Sequence, residues 1–336
     1  MRTSIYMNEI IIFPSKLVAG DEVRIIAPSR SMAIVSENLR EIADQRFTQL
    51  GLKVSFGKHT EEIDDFRSSS IMSRVEDLHS AFCDTHVKAI FTVIGGFNAN
   101  QLLRYIDWEL IKHNPKIFCG YSDITVLNNA LLAKSGLVSY SGPHYSTFGQ
   151  EKYFDYTLDY FKKCLFSDDP FEIRPSETWS DDLWFKDQSN RDIVKNDGYL
   201  VINNGEATGV IIGGNICTLS LLQGTEYFPA LESSVIFIED DDESTPHDFD
   251  RILQSLIHQP TFDGVKGVVI GRFQNASKLT DDLLIKIVKS KKELNKLPII
   301  AHVDFGHTDP KITFPIGGEV SVSATVEKVK IIIKRH

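Results

Sequence analysis

Short runs of β-branched and aromatic residues alternate with longer segments in which apolar residues recur at helical spacing, beginning at residue 23. The first run, VRIIAPS, precedes ENLREIADQRFTQLG, and this order predicts a strand followed by an amphipathic helix. Three more pairs follow: KVSFG with SIMSRVEDLHSAFCD, AIFTVIGG with NANQLLRYI, and KIFCGYSD with ITVLNNALLAKSG. Four such pairs predict a parallel sheet flanked by helices.

The pattern changes between about residue 166 and residue 200, where Asp, Ser and Asn are frequent and no period is sustained. Beyond it, strand-like and helix-like segments alternate again, from YLVINNGEATGVIIGGN through ICTLSLLQG, SSVIFIED, FDRILQSLIHQ, VKGVVIGRF and LPIIAHVDF to the short strands of EVSVSATVEKVKIII. The sequence therefore predicts an α/β protein in three parts. They are an N-terminal α/β domain over residues 1–165, a linker or lid over 166–200 and a β-rich C-terminal domain over 201–336.

Composition and charge narrow the classes of function. The 336 residues are 42% hydrophobic and 24% charged, and the net charge is −10 with acidic and basic residues interspersed. A nucleic-acid surface would need a basic stripe, so we expect no nucleic-acid partner. No apolar run approaches the roughly 20 residues of a membrane span, and the opening MRTSIYMNEIIIF is too short and polar for a signal peptide. We therefore expect a cytoplasmic protein without a membrane partner.

One serine occupies a turn that is typical of nucleophiles. Ligands of open parallel sheets bind beyond the carboxyl ends of the strands, which places Ser29, Gly95, Gly96 and Ser122 on one rim. The segment KIFCGYSDIT is a strand that ends at a glycine, turns and starts a helix, as a nucleophile elbow does. The G-x-S-x-G signature is only half present, because an isoleucine replaces the second glycine. Capping of the following helix by Ser122 or its neighbour is the alternative interpretation.

Two backbone amides are candidate oxyanion donors. The turn IGGFN closes a neighbouring strand on the same rim, and its glycines let the backbone approach a ligand closely. The N–H groups of Gly96 and Asp123 could therefore meet the negative charge that develops in a transition state. A tight strand-to-helix turn would need the same glycines, so both interpretations stay open.

A serine nucleophile needs a base to remove its proton and a third group to orient that base. Among ten histidines, His307 stands out because GHTDP follows the buried strand LPIIAHVDF and places His307 in a loop at a strand end. His302 lies inside that strand and is interpreted as a packed core residue. His113, His144 and His258 have helix-end or loop contexts typical of surface or structural roles, although His144 could also line the pocket.

Glu239 is the candidate for the orienting acid, because the hydrophobic strand SSVIFIED ends on this carboxylate. The competing interpretation is a divalent-cation site over residues 239–243, since hard cations bind clustered carboxylates. We discount it because no x-D-x-D-G spacing appears and because acidic runs before a helix commonly complement its dipole. The four cysteines are too scattered for a zinc site or a redox pair and are expected to be buried thiols: Cys83, Cys119, Cys164 and Cys217.

Seven segments together resemble the LD-carboxypeptidase family of serine peptidases, and within it the branch of microcin C immunity proteins. They are LVAGDEVRIIAPS, IGGFNANQLLRYID, IFCGYSDIT, SYSGPHYSTFG, GVIIGGNICTLSLLQGTEYFP, VIFIED and GHTDPKITFPIG, in family order over nearly the whole chain after residue 14. An ordered set of blocks is far more specific than one motif.

The resemblance implies a serine hydrolase that cuts an amide bond next to a free carboxylate. It implies a triad of Ser122, Glu239 and His307 and an oxyanion hole from the backbone of Gly96 and Asp123. It also implies a flavodoxin-like or Rossmann-like N-terminal sheet, a barrel-like C-terminal domain, an active site at their junction and a homodimer. Neither a metal nor an organic cofactor is implied.

Two classes of substrate follow from the resemblance. One branch removes the terminal D-alanine from murein tetrapeptides in cell-wall recycling, and the immunity branch hydrolyses the bond that joins an aspartyl residue to a nucleotide-like group. We favour the second, and hence a small peptide or aminoacyl-nucleotide partner, on the IGGFNANQLLRYID and YSGPHYSTFG blocks and on Trp179 and Trp184. The immunity branch stacks an aromatic residue of that linker on the base. Pinning the linker to the surface is the alternative role for the tryptophans.

Asn215 is a candidate contact for a substrate carboxylate, with capping of the next helix as an equal alternative. Immunity-branch members carry a lysine shortly after the catalytic glutamate, whereas this chain has Asp241, Asp242 and Glu243. That departure puts recognition of an acyl-side carboxylate in doubt. A non-catalytic nucleotide- or peptide-binding protein is the remaining hypothesis, against which APS replaces the G-x-G-x-x-G expected after the first strand of a dinucleotide site.

Overall fold

A computed structural model describes residues 11–325 and 328–336. The interpretation of the opening segment as too polar for a signal peptide falls mainly on residues 1–10, outside the described residues. Within the described ranges, no helix combines the length and the apolar character that crossing a bilayer requires.

The N-terminal part, residues 11–165, alternates strands and α-helices. The strands are β1 Glu22–Ile26, β2 Lys53–Phe56, β3 Val87–Thr92, β4 Ile117–Cys119 and β5 Ser139–Ser141. The helices are α1 Glu37–Gln49, α2 Ile71–Cys83, α3 Trp108–His113, α4 Thr125–Ser135 and α5 Asp155–Leu165. The strands pair in parallel in the order β5-β4-β3-β1-β2, which confirms the predicted sheet.

One predicted helix is wrong. The NANQLLRYI segment forms only a short 3-10 turn over Ala99–Leu102, and α3 begins later, at Trp108. Asp107 explains the later start because its side chain accepts from the Leu110 N–H at 2.9 Å and so caps α3. The turn itself is held by the Asp123 carboxylate, which accepts from the Ala99 N–H at 2.9 Å.

The predicted linker is anchored to the rest of the protein by backbone hydrogen bonds. It contains three short strands: β6 Phe171–Ile173, β7 Thr178–Trp179 and β8 Val194–Lys195. Strands β7 and β8 pair with each other, and Ser180 exchanges two backbone hydrogen bonds with Asp309, at 2.7 and 2.8 Å. The segment therefore crosses the surface as an anchored structure, and its hairpin shows why no single period runs through its sequence.

The C-terminal part is built on an eight-stranded mixed sheet. The further strands are β9 Leu200–Asn203, β10 Gly205–Asn215, β11 Ser234–Glu239, β12 Gly267–Gly271, β13 Ile299–Val303, β14 Phe314–Ile316, β15 Glu319–Ala324 and β16 Val329–Arg335. The helices are α6 Ile216–Ser220, α7 Pro246–Ile257 and α8 Asp281–Lys289. The sheet order is β6-β16-β15-β10-β11-β12-β13-β9, with β10 to β13 parallel and the outer strands antiparallel.

The two halves share structure across the predicted domain boundary. Strand β14 leaves the C-terminal part and pairs antiparallel with β5, as the edge strand of the N-terminal sheet. One hydrophobic cluster includes Phe91 of β3 and Phe237 of β11, so the core is continuous between the sheets. Both aromatic rings are fully buried. The mixed α/β fold class that we predicted is confirmed.

A buried amide joins the helix that follows Ser122 to the second sheet. Asn129 of α4 donates to the Gly213 carbonyl at 2.8 Å and accepts from the Gly213 N–H at 3.2 Å. Thr125 accepts from the Asn215 N–H at 3.0 Å. Because an unmet amide or hydroxyl would be costly at this buried position, these bonds fix the register of α4 against β10.

We predict that Gly213→Ala destabilises the fold by on the order of 3 kcal/mol. Gly213 has a φ of +135°, and a Cβ there would lie 1.9 Å from the Phe237 carbonyl oxygen of the paired strand. Gly198→Ala is the matched control, because Gly198 also has a positive φ, +91°, but nothing lies within 4 Å of its Cβ position. Guanidinium unfolding measures the free energy of unfolding of both variants. Equal losses in Gly213→Ala and Gly198→Ala would contradict the packing argument.

The prediction that all four cysteines are buried thiols is wrong for two of them. Cys119 and Cys164 are buried, whereas Cys83 and Cys217 are exposed. Both exposed residues belong to α-helices, Cys83 as the last residue of α2 and Cys217 as the second of α6. Among the described residues, no group of three or more His, Cys, Asp or Glu side chains is arranged to hold a metal ion.

Candidate active site

Ser122 lies at a strained turn between β4 and α4. Its φ is +60°, in the left-handed region that non-glycine residues rarely adopt, and a short 3-10 turn over Ser122–Ile124 leads into the helix. A Cβ on Gly95 would come within 2.9 Å of the Ser122 Cβ and 3.0 Å of its Oγ, so the turn after β3 lies directly against the hydroxyl. This backbone has the form of a nucleophile elbow.

His307 connects Ser122 to a buried carboxylate. Its Nε2 is 2.9 Å from the Ser122 Oγ, and its Nδ1 is 2.8 Å from Oε2 of Glu239, the last residue of β11. Because a carboxylate can only accept, Nδ1 carries the proton and Nε2 is free to accept from the serine hydroxyl. The Glu239 side chain is 3% exposed, so water competes little for this contact.

The charge balance around His307 favours its protonated form. Burial by itself disfavours the imidazolium, but the adjacent Glu239 carboxylate outweighs burial and raises the pKa of His307 to about 8. Asp241 acts in the same direction and Lys311 in the opposite one. An imidazole with this pKa readily takes a proton from a neighbouring hydroxyl as charge develops on the substrate.

We predict that kcat/KM falls on the acid side with an apparent pKa near 8, because protonated His307 cannot accept the proton of Ser122. Below that pH the rate should drop about tenfold per unit, and above it the profile should level off. The measurement is a kcat/KM profile between pH 5.5 and 10 in buffers of constant ionic strength. A plateau that continued below pH 6 would contradict the role of His307 as the base.

The predicted rim residues meet at the elbow. The Asp123 carboxylate is buried and accepts from the Ser29 hydroxyl at 2.6 Å, which ties the end of β1 to the start of the turn. A Cβ on Gly96 would lie 2.2 Å from the same Ser29 Oγ. Within the described chain, neither the Gly96 N–H nor the Asp123 N–H donates to a protein acceptor, so both remain available to a ligand.

Asn215 is adjacent to Glu239, but its side chain is hydrogen-bonded within the protein. It pairs in register with Glu239, and its Oδ1 accepts from the Thr218 N–H at 2.9 Å, which caps α6. Its Nδ2 donates to Oδ1 of Asp240 at 3.2 Å. The capping role, one of the two alternatives drawn from the sequence, is therefore present in the structure.

The two linker tryptophans occupy different environments. Trp184 is half-buried and packs against the hydrophobic core. Trp179 lies 4.9 Å below the guanidinium of Arg272 and lines a cavity of about 220 Å³ together with His302. None of the three residues Ser122, Glu239 and His307 lines that cavity. His302, expected inside the core, is only partly buried.

Tyr121 and Lys311, which the sequence left unassigned, and His144, for which it left a place in the pocket wall open, lie around His307. The Tyr121 ring packs edge-on against His307, with centroids 5.4 Å apart, and Lys311 lies 5.3 Å from the Tyr121 centroid. Lys311 is buried and paired with Asp309. His144 stacks on Tyr121 at 4.4 Å, and burial together with the charges of His307 and Lys311 holds its pKa well below the usual value. The available signal for Lys311 was its position in GHTDPKITFPIG, directly before the apolar run ITFPIG.

Comparison with known proteins decides the family. Residues 23–142 match the profile of the LD-carboxypeptidase N-terminal domain, and residues 208–322 match that of the LD-carboxypeptidase C-terminal domain. The "Putative carboxypeptidase YocD" of Bacillus subtilis (strain 168) is 55% identical over 324 residues, which cover 96% of this chain and 100% of that protein. The chain belongs to the LD-carboxypeptidase family.

Within this family, solved structures of microcin immunity-like members are similar to the chain. The MccF-like protein from Bacillus anthracis str. Ames superposes with a TM-score of 0.96 at 54% identity, over 97% of this chain and 100% of that one. MccF, the microcin C7 self-immunity protein of Escherichia coli, is 27% identical over 94% of each chain. A structure of MccF with glutamyl sulfamoyl guanosine gives a TM-score of 0.86 over 96% of this chain and 98% of that one.

Proposed function

We propose that this LD-carboxypeptidase family member is a serine hydrolase that cleaves an amide bond next to a free carboxylate. Ser122 is the nucleophile, His307 the general base and Glu239 the group that orients His307. The observation that carries the proposal is the unbroken hydrogen-bond chain from Glu239 through His307 to a serine with a left-handed φ. Nucleophile, base and orienting acid in mutual contact are the arrangement that acyl transfer to serine requires.

The first half-reaction acylates the serine. The Ser122 Oγ attacks the scissile carbonyl carbon while the His307 Nε2 takes its proton, and the carbonyl oxygen becomes an oxyanion. The N–H groups of Gly96 and Asp123 donate to that oxygen. The bond from carbon to the leaving nitrogen then breaks, and His307 returns its proton to that nitrogen.

The second half-reaction frees the enzyme. A water molecule gives a proton to His307 and its oxygen attacks the acyl carbon, after which the ester bond to Ser122 breaks and the serine recovers its proton from His307. Glu239 holds the imidazole in one tautomer throughout and stabilises its charged form. These steps need no metal or organic cofactor because His307 carries every proton.

We favour an aminoacyl-nucleotide or a small peptide–nucleotide as the substrate class. Support comes from the relatives: MccF has been solved with aspartyl sulfamoyl adenosine as well as with glutamyl sulfamoyl guanosine, and both compounds join an acidic aminoacyl group to a nucleoside. In this chain Phe185 of the linker is 53% exposed and Trp179 is half-buried, so each offers a ring surface on which a base could stack. A homodimer and a cytoplasmic location remain predictions from the family resemblance.

A murein peptide is the second candidate substrate. The "Probable murein peptide carboxypeptidase" of Bacillus subtilis (strain 168) is 29% identical over 323 residues, which is slightly more than MccF. The acidic run Asp241–Glu243 also favours it, because carboxylates there would repel the side chain of an aspartyl substrate.

The experiment that tests the proposal is a side-by-side hydrolysis assay with aspartyl sulfamoyl-adenosine and a murein L,D-tetrapeptide, followed by mass spectrometry of the products. Release of aspartate from the nucleoside compound supports the immunity-like substrate class, and release of D-alanine supports the cell-wall class. A chain that bound either compound without turnover would instead be a binding protein, and the proposal would fail.

A further inference from the structure

Arg30 is a cation at the rim of the site, beside the turn that carries the proposed oxyanion donor. Its backbone N–H donates to the Gly95 carbonyl at 3.3 Å, and its Cγ lies 2.9 Å from the position of a Cβ on Gly96. Gly95 is the residue whose added Cβ would touch Ser122. The stem of Arg30 therefore borders the same two-glycine turn that lies against the nucleophile.

The charged end of Arg30 faces an aromatic ring. Its guanidinium carbon is 5.8 Å from the centroid of Phe97, which is 52% exposed and packs edge-on against the even more exposed Phe66. Within the described residues Arg30 makes no ion pair, and its buried Nε has no hydrogen-bond partner. A guanidinium with free donors is suited to bidentate binding of a carboxylate.

Other buried cations of this region are already engaged. Lys311 is paired with Asp309. Arg74 donates to the Pro28 and Asn98 carbonyls, at 3.2 and 3.1 Å, and lies under the chain rather than at the rim. These two groups hold the protein together, whereas Arg30 is half-buried beside the elbow and its guanidinium remains open to a ligand.

A cation is needed because the acid side of the triad is strongly negative. Glu239 is followed directly by the buried Asp240 and then by Asp241. Burial, together with the charges of Glu239 and Asp241, raises the pKa of Asp240 to about 7. A further anion placed beside these carboxyl groups would meet the same repulsion. A substrate with a free carboxylate would therefore be held more favourably beside a cation, and Arg30 borders the Gly95–Gly96 turn that lies against Ser122.

We propose that Arg30 binds a carboxylate of the substrate, with Phe97 supporting the guanidinium from below. This inference rests on the proposed hydrolase function and names the group that recognises the free carboxylate. The carboxylate is either the side chain of an acidic acyl residue or the terminus of a leaving amino acid. Arg30 is thus a specificity-determining residue, and it takes no part in moving protons.

Binding to the Ser122→Ala chain tests the inference, because no substrate is consumed. Calorimetry compares aspartyl with asparaginyl sulfamoyl-adenosine, and an L,D-tetrapeptide with its terminal amide. In one of the two pairs, the carboxylate compound should bind about 10- to 100-fold more tightly than the amide, and adding Arg30→Gln should bring that ratio close to one. The pair that responds identifies which carboxylate Arg30 holds.

Two further variants separate recognition from structure. Arg30→Lys should retain part of the preference, because the charge remains but the bidentate fork is lost. Arg335→Gln is the matched control, since Arg335 also lies over a phenylalanine, 4.1 Å from the Phe13 centroid, at the end of β16. It should leave every ratio unchanged.

The inference is overturned if Arg30→Gln leaves the ratio unchanged in both pairs, or if the Arg30-containing chain shows no carboxylate preference or binds none of the four compounds. Wild-type turnover is measured separately with the same compounds. If the wild-type chain hydrolyses a compound but the carboxylate preference is the same with and without Arg30→Gln, only this inference is refuted and the proposed hydrolysis stands. A preference that depends on Arg30 in a wild-type chain without turnover would refute the proposed hydrolysis and leave carboxylate binding in place.

Discussion

Ser122→Ala should lower kcat by about 10⁴- to 10⁶-fold with whichever compound the wild type hydrolyses. In the proposed mechanism the variant loses the atom that forms a bond to the substrate, while the Gly96 and Asp123 N–H groups, the proposed oxyanion donors, remain. Binding should persist, because the hydroxyl contributes one hydrogen bond, to His307, in the free protein. Steady-state kinetics and calorimetry on the same preparation measure both quantities.

Ser80→Ala is the control for this variant, since Ser80 is an exposed residue of α2 and should keep full activity. Guanidinium unfolding should show that Ser122→Ala is folded, because alanine occupies the left-handed φ at a cost similar to that of serine. A Ser122→Ala chain that kept more than a tenth of the wild-type kcat would show that another group attacks the substrate.

Glu239→Gln should lower kcat by about 10⁴-fold and also move the acid limb of the pH profile to lower pH. The carboxylate accepts from Nδ1 of His307, and an amide can instead donate to Nδ1, which would place the proton on Nε2 and block acceptance from Ser122. Because Glu239 raises the pKa of His307, removing its charge lowers that pKa. Profiles of kcat/KM for both chains measure the two effects together.

Asp241→Asn separates the effect of negative charge near His307 from the effect of the hydrogen bond that Glu239 accepts. Asp241 also raises the pKa of His307 through its charge, yet of these two carboxylates only Glu239 accepts a hydrogen bond from the His307 Nδ1–H. The Asp241 variant should therefore shift the acid limb slightly and keep most of kcat. Equal losses in the two variants would mean that the total negative charge, rather than the orienting hydrogen bond, supports the reaction.

Local sequence was sufficient to predict the strand ends from which the candidate site is assembled. Ser122 follows a buried strand and precedes a helix, Glu239 ends a strand, and His307 follows one. Each context is visible in the alternation of apolar and polar residues. Glu239 and His307 meet because β11 and β13 are parallel strands of one sheet and present their carboxyl ends at the same edge. Ser122 comes from the other sheet, and the contacts of α4 with β10 hold it against them. The catalytic roles of the three residues remain the prediction that the experiments address.

The parts that local sequence could not predict depend on contacts between distant segments. FPI at residues 314–316 is an apolar run like many others, and only the folded chain shows that it pairs with Ser139–Ser141 of the N-terminal sheet. Asn129 similarly looks like any polar residue in a helix, although its partner is Gly213, 84 positions away. Arg30 carried no signal because an arginine after a strand is usually a solvated surface charge.

The most direct measurement is intact-mass spectrometry of the wild-type chain, acid-quenched during its first turnover with aspartyl sulfamoyl-adenosine or the L,D-tetrapeptide. The account predicts a transient mass increase equal to the acyl group, located by proteolysis on the peptide that contains Ser122 and missing from Ser122→Ala. Hydrolysis at the full wild-type rate with an unmodified protein mass throughout the first turnover, or an adduct on any other residue, would contradict it.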